Sequence, residues 1–147
     1  TFMGSIKNAI GIGTLLYEGV GATIRASLTA DPKEEVRLCW AILRALQLRR
    51  RGPELISCPT CGRTEINLLD LAEKVEAELA KIEAPIKVAV MGCVVNGAGE
   101  AREADVGIAG GKKMGAIFAK GKVIKSVKEA EILPELLKEI RKITKKK

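Results

Sequence analysis

The sequence contains no histidine, few aromatic residues and no apolar run of the roughly 18 residues that are needed to span a bilayer. Without histidine the chain lacks the commonest general base and the commonest nitrogen ligand of zinc. The apolar stretch 8–16 has the length of a signal-peptide core, but no small-residue cleavage site follows it. We therefore expect neither a signal peptide nor a membrane partner. At 147 residues the chain can form one ordinary domain or two small ones.

The excess of positive charge is local. The formal net charge is +7, but the clusters Arg49–Arg51 and Arg141–Lys147 hold eight of the 25 basic residues, and the remainder has 17 basic against 18 acidic residues. None of the aromatic residues is interleaved with basic ones, as a surface that stacks nucleic-acid bases requires. We therefore expect no nucleic-acid partner.

The first third of the chain alternates helical and extended patterns. The stretch 8–19 is helix-like, and residues 22–29, ATIRASLT, alternate apolar with polar side chains, which predicts a strand. Asp31 is a suitable N-cap, Pro32 suits the first helical position and Glu34 would complete a capping box. This pattern indicates a piece of a βα-repeat fold that cannot close a barrel alone. The helix after Pro32 should bury a face made of Val36, Cys39, Trp40, Leu43 and Leu46.

Charge followed by Gly-Pro at residues 49–54 predicts a domain boundary, so we divide the chain into residues 1–50 and 51–147. The second part has a helical pattern from about Glu65 to Ile82 and a strand pattern at 86–92. Three short strand patterns follow in a glycine-rich region, and a last helix carries Pro134 in its first turn. These elements predict an α/β unit with a core of its own.

Four cysteines occur, and three of them form the main candidate site. Cys39 falls on the apolar face of a predicted helix, where a free thiol packs as a small hydrophobe. Cys58 and Cys61 form the motif CPTC, whose spacing lets two thiolates turn toward one point. The N-terminus of the helix predicted after them would favour their negative charge. Cys93 follows a strand pattern and precedes small residues, where the backbone can approach a ligand closely.

Four interpretations of these thiols stay open. A redox dithiol would use CPTC alone, a structural zinc site would need two more cysteines or histidines, and inert thiols would need no ligand. An iron–sulfur cluster uses soft thiolates, sometimes with a different residue at one iron. Three thiolates without histidine suit a cluster better than zinc, and Glu100 in NGAGE offers an oxygen donor. The residues therefore favour the cluster.

The motifs SCPTCGRTEINL and MGCVVNGAGEAREADVGIAGG, with GVGATIRASLTADPKEEV upstream, closely resemble the C-terminal part of the 4-hydroxy-3-methylbut-2-enyl diphosphate synthase family. The resemblance is colinear over essentially the whole chain. It implies an α/β fold with two parts: the terminal βα piece of a TIM-type barrel over residues 1–50, and a small α/β iron–sulfur cluster domain over residues 51–147. It also implies a cytoplasmic oxidoreductase of the non-mevalonate isoprenoid pathway.

The resemblance further implies a [4Fe–4S] cluster that is held by Cys58, Cys61, Cys93 and Glu100. Members of the family reductively open and dehydroxylate 2-C-methyl-D-erythritol 2,4-cyclodiphosphate to give 4-hydroxy-3-methylbut-2-enyl diphosphate. A carboxylate is a hard, exchangeable ligand among soft thiolates, so we hypothesise that Glu100 is catalytic and opens one iron to the substrate.

The resemblance also places substrate contacts and partners. Arg25 and Ser27 match residues at the diphosphate site, and Asn96 matches a residue near the substrate. A guanidinium and a hydroxyl at positions i and i+2 of a strand can converge on phosphate oxygens. The family implies ferredoxin or flavodoxin as the electron donor, and a homodimer in which the cluster domain of one subunit faces the barrel of the other.

The sequence also departs from the family. Ala22, Ala26 and Ala98 stand where the family commonly has Asp, Val and Pro, and most of the barrel is not in this sequence. We therefore expect the chain alone to bind a cluster but not to turn over. The competing hypothesis is a non-catalytic module that binds structural zinc, or nucleic acid through the basic C-terminus.

Overall fold

The computed structural model describes residues 1–95 and 103–145. The chain divides into two compact units, Thr1–Arg51 and Gly52–Lys147. The predicted boundary lies one residue before this division. No helix within the described ranges is both long enough and apolar enough to cross a membrane.

The first unit consists of two helices, α1 (Phe2–Tyr17) and α2 (Pro32–Ala45), joined by an extended segment. Asp31 caps α2 as predicted, since its carboxylate accepts a hydrogen bond of 2.9 Å from the Lys33 N–H. The predicted capping box is wrong, because the Glu34 carboxylate pairs with Arg37 instead. At the end of the unit the Arg51 guanidinium lies over the Trp40 ring, 4.8 Å from its centroid.

The predicted buried face of α2 is wrong at Val36 and omits Ile42, whereas its other four residues, Cys39, Trp40, Leu43 and Leu46, are half-buried. Val36 is 58% exposed, whereas Ile42 is only 4% exposed. The reason is a hydrogen bond that the apolar pattern did not anticipate: Glu35 Oε1 accepts the Leu28 N–H at 2.9 Å. Glu35 therefore faces inward, together with Cys39 and Ile42 on successive turns of the same face.

The predicted strand at residues 22–29 is also wrong, because the structure assigns no strand there. The burial of the side chains nevertheless alternates along the segment as predicted. Ala26 is buried with Ile24 and Leu28 half-buried, whereas Arg25 and Ser27 are exposed. A strand requires hydrogen bonds to the backbone of a second strand. In the described part of the first unit, the backbone of this segment bonds to the side chains of Asn8 and Glu35 instead.

In its described part, the second unit has one five-stranded sheet and two α-helices. The bounds are β1 Glu54–Ser57, α3 Leu68–Leu79, β2 Lys87–Met91, β3 Val106–Gly111, β4 Met114–Ala119, β5 Lys122–Lys128, a 3-10 turn Glu129–Glu131, and α4 Ile132–Thr144. Strands β1, β2 and β3 are parallel, β4 and β5 continue antiparallel, and the order across the sheet is the chain order. The strands from β2 to β5 confirm the predicted patterns, whereas the sequence pattern predicts no strand at β1.

The core of this unit lies between the sheet and the two helices. Val88 and Val90 of β2 point to this side and are fully buried, as strand alternation requires. Burial of side chains of this size stabilises the fold by about 1.5–3 kcal/mol each. A smaller cluster on the opposite face contains Ala89, Met91, Ala104, Ala109 and Phe118.

Candidate functional site

Two of the three candidate cysteines lie at the same edge of the sheet. Cys58 follows the last residue of β1, and Cys93 comes shortly after the last residue of β2. These strands are neighbours and parallel, with Ser57 paired to Val90, so their carboxyl ends meet. In α/β sheets with parallel strands, ligands bind beyond this edge.

A backbone amide links the two segments. The Gly92 N–H donates a hydrogen bond to Cys58 Sγ over 3.2 Å. Cys58 is half-buried and packs against the apolar clusters on both faces of the sheet, while Cys93 is only 4% exposed. An N–H donor to sulfur stabilises negative charge on a thiolate, which is the form that binds a metal or cluster.

Cys61 is exposed, and its loop is held by a local turn. The Cys61 N–H donates to Thr64 Oγ1 at 3.3 Å, and the Thr64 N–H donates to the Cys61 carbonyl at 3.0 Å. The next N–H, that of Glu65, donates to the Gly92 carbonyl at 2.9 Å. The Gly92 residue therefore binds Cys58 through its N–H and the Cys61 loop through its carbonyl.

The absence of side chains at two glycines lets this loop lie against the sheet. A Cβ at Gly92 would be 2.9 Å from Thr64 Cγ2, and a Cβ at Gly110 would be 2.7 Å from the Gly92 carbonyl oxygen. A Cβ at Gly110 would also be 2.8 Å from Ile66 Cγ1. These contacts are closer than atoms of side chains allow, so both positions require glycine for this packing.

The same contacts correct the predicted helix start. Glu65 bonds to Gly92 and Ile66 packs on Gly110, so α3 begins only at Leu68. A stabilising effect of the α3 N-terminus on the CPTC thiolates stays a prediction. The donor that the structure supplies is the Gly92 amide, which no sequence pattern had indicated.

The donor set fits an iron–sulfur cluster in its chemistry. All four cysteines are free thiols, and one candidate thiol already accepts an amide hydrogen bond. Among residues 1–95 and 103–145, however, no three His, Cys, Asp or Glu side chains are grouped closely enough to hold a metal ion. The two other predicted site residues of this region, Asn96 and Glu100, lie outside the described residues.

Arg25 and Ser27 lie in the extended segment of the first unit. Both side chains are exposed, with buried Ala26 between them, so they share the solvent face of the segment. Within the described residues, neither the guanidinium nor the hydroxyl has a hydrogen-bond or ion-pair partner. A residue that the sequence analysis missed, Asn8, bonds to the Ser27 backbone on its other side.

In a comparison with known proteins, a family model matches each of the two units. The family model described as the GcpE protein C-terminal domain matches residues 54–142, and the model described as the GcpE TIM-barrel domain matches residues 1–40.

Curated relatives match nearly the whole chain. A protein of Caldanaerobacter subterraneus subsp. tengcongensis is 63% identical over 97% of this chain, and one of Maridesulfovibrio salexigens is 60% identical over 98%. A third, of Sulfurihydrogenibium sp., is 57% identical over 95%. Each is named 4-hydroxy-3-methylbut-2-en-1-yl diphosphate synthase (flavodoxin). The chain spans about 40% of the length of these relatives.

Proposed function

Because the chain belongs to the GcpE family, we propose that it forms the cluster-bearing part of a 4-hydroxy-3-methylbut-2-en-1-yl diphosphate synthase, an oxidoreductase of isoprenoid biosynthesis. The first unit corresponds to the last part of a TIM-type barrel, and the second unit to the cluster domain. The observation that carries this proposal is the Gly92 N–H bond to Cys58 Sγ. It ties the CPTC motif to the turn that bears Cys93 at the carboxyl edge of parallel strands.

The proposed reaction is the reductive opening of 2-C-methyl-D-erythritol 2,4-cyclodiphosphate. An electron pair and two protons enter, one C–O bond to phosphate breaks, a hydroxyl leaves as water, and a carbon–carbon double bond forms. A [4Fe–4S] cluster, when bound, supplies the electrons and a Lewis-acidic iron. The chain contributes binding, orientation and the electrostatic surroundings.

Each proposed role follows from the position or chemistry of the residue. Cys58, Cys61 and Cys93 hold three irons as thiolates, and Glu100 supplies an exchangeable oxygen ligand to the fourth. The structural support concerns the thiols, since Glu100 lies outside the described residues.

Substrate binding is assigned to three residues. The exposed Arg25 guanidinium and Ser27 hydroxyl bind diphosphate oxygens through charge-assisted and neutral hydrogen bonds. Asn96 orients the remainder of the substrate. We further propose flavodoxin or ferredoxin as the electron donor, a homodimer as the working assembly, and no turnover by these 147 residues alone.

Iron and acid-labile sulfide analysis of the anaerobically purified chain tests the proposal. We expect about four irons and four sulfides per chain, with a brown colour. Single replacements of Cys58, Cys61 or Cys93 by serine should each lower the iron content strongly, because each removes one of few soft ligands.

Cys39→Ser is the matched control, since it changes a half-buried thiol in the other unit and should leave the iron content unchanged. Equal iron loss in the control would contradict the assignment of ligands. Stoichiometric zinc without sulfide would overturn the cluster and favour the structural-zinc alternative.

A further inference from the structure

We propose that Asn8 is a positioning residue that holds Arg25 and Ser27 in the conformation that binds a diphosphate group. The inference rests on the proposed function, which assigns these two side chains to the substrate. It adds a residue on α1 that the family resemblance, the apolar pattern and the motifs did not indicate.

The Asn8 amide is fully engaged with backbone groups. Its Nδ2 donates to the Ser27 carbonyl at 3.1 Å and to the Gly4 carbonyl at 2.8 Å, and its Oδ1 accepts the Ser27 N–H at 3.2 Å. The reverse orientation of the amide would face donor to donor and acceptor to acceptor at all three contacts, so the network fixes the orientation. Because both Nδ2 hydrogens are used, the Asn8 amide has no donor left for a substrate.

This arrangement substitutes for a neighbouring strand. In an antiparallel ladder, one residue exchanges both its N–H and its C=O with a single partner. The Asn8 amide presents a donor and an acceptor side by side, as a peptide unit does, and bonds to both groups of Ser27. Within the described residues, no strand pairs with this segment.

Fixing the Ser27 backbone also fixes the direction of two side chains. In an extended chain the side chains of residues i and i+2 leave the same face, so Arg25 and Ser27 project together. Two further contacts hold the next residue. The Leu28 N–H bonds to Glu35 at 2.9 Å, and a Cβ at Gly4 would be only 3.1 Å from Leu28 Cδ2. The segment is therefore held by α1 and α2, while the guanidinium and hydroxyl face solvent.

The test is the kinetics of Asn8→Ala in the holoenzyme that contains this chain, with the cyclodiphosphate as substrate. We expect KM to rise on the order of tenfold while kcat changes by less than about twofold, because the lost contacts order the binding residues without touching the reacting atoms. Direct titration with inorganic pyrophosphate should show a similar loss of affinity. Asn8→Asp keeps the volume and the acceptor but loses the donor to Ser27, so it should raise KM in the same direction.

Thr14→Ala is the matched control, because it removes another hydrogen bond from a side chain to the backbone of α1, from Thr14 Oγ1 to the Ile10 carbonyl. It should change neither KM nor pyrophosphate affinity. An unchanged KM and pyrophosphate affinity in both Asn8 variants, with iron content intact, would overturn the inference. So would a loss of kcat at constant KM. If the parent enzyme binds pyrophosphate in an Asn8-dependent way but does not convert the cyclodiphosphate, the inference stands and the proposed reaction fails.

Discussion

Replacing Gly110 by alanine tests whether the Cys61 loop packs against the end of β3. The Gly110 φ is not positive, so alanine meets no backbone strain and the effect comes from contacts alone. The new Cβ would lie 2.7 Å from the Gly92 carbonyl oxygen and 2.8 Å from Ile66 Cγ1. Non-bonded heavy atoms prefer about 3.5–4.0 Å, so both neighbours must move away from the new Cβ by about 0.7 Å or more.

The two neighbours that must move both support the cysteines. Gly92 binds Cys58 and the Cys61 loop, and Ile66 is a buried residue at the end of that loop. Overpacking of this kind costs about 1–3 kcal/mol in the free energy of unfolding. For a unit of this size each kcal/mol lowers Tm by about 4–8 °C, so we expect a decrease between about 4 and 24 °C.

Thermal unfolding followed by circular dichroism, together with iron analysis of anaerobically purified protein, measures both consequences. Gly62→Ala is the matched control, because Gly62 lies in the cysteine loop without a positive φ, and no atom of the described residues lies within 4 Å of its added Cβ. Its stability should stay within about 0.5 kcal/mol of the parent. If Gly110→Ala unfolds at the temperature of the parent and keeps its iron, the loop does not pack on β3 as described.

Three further predictions concern other contacts. The hydrogen bond from Lys125 is the main cause of the lowered pKa of the Glu135 carboxyl, so its stabilising contribution is present above the ordinary pKa and is lost as pH falls. Lys125→Met should therefore raise the pKa of Glu135 toward its ordinary value in a carboxyl NMR titration, and an unchanged pKa would exclude this pairing in solution. Arg51→Ala should alter the fluorescence of Trp40, the single tryptophan, and cost about 0.5–1 kcal/mol, whereas an unaltered spectrum would argue against the stacked geometry. In the holoenzyme, Glu100→Cys should retain full iron but lose turnover, and full turnover with an all-thiolate cluster would refute the exchangeable-ligand role of Glu100.

The elements that the sequence predicted correctly are those whose patterns are local and strong. The buried valines of β2 and the apolar stripe of α4 each repeat with the period of their element, so the residues of that one segment suffice to predict the element. The predictions were wrong where a hydrogen-bond partner on another segment determines which face of a helix is buried or where a helix begins. Glu35 turns α2 toward Leu28, and Glu65 bonds to Gly92 before α3 can begin.

The same distinction applies to the candidate site. The thiols could be selected by residue type and spacing, and their role as cluster ligands stays a prediction. The groups that arrange them could not be selected in this way. Gly92 acts through its backbone N–H and carbonyl, which every residue other than proline possesses. Asn8 acts on a segment that is distant in sequence, and an isolated asparagine in a helical pattern has no distinguishing period.

The contacts of Gly92 also make the two cysteines of CPTC unequal. Cys58 is half-buried, and its sulfur is the acceptor for the buried Gly92 amide, so removal of that sulfur leaves an N–H without a partner at a cost of about 1–3 kcal/mol. Cys61 is exposed, and the bonds that hold its loop come from its backbone and from Thr64 rather than from its thiol. The sulfur of Cys58 therefore contributes to the fold as well as to the proposed cluster, whereas the thiol of Cys61 contributes to the proposed cluster alone.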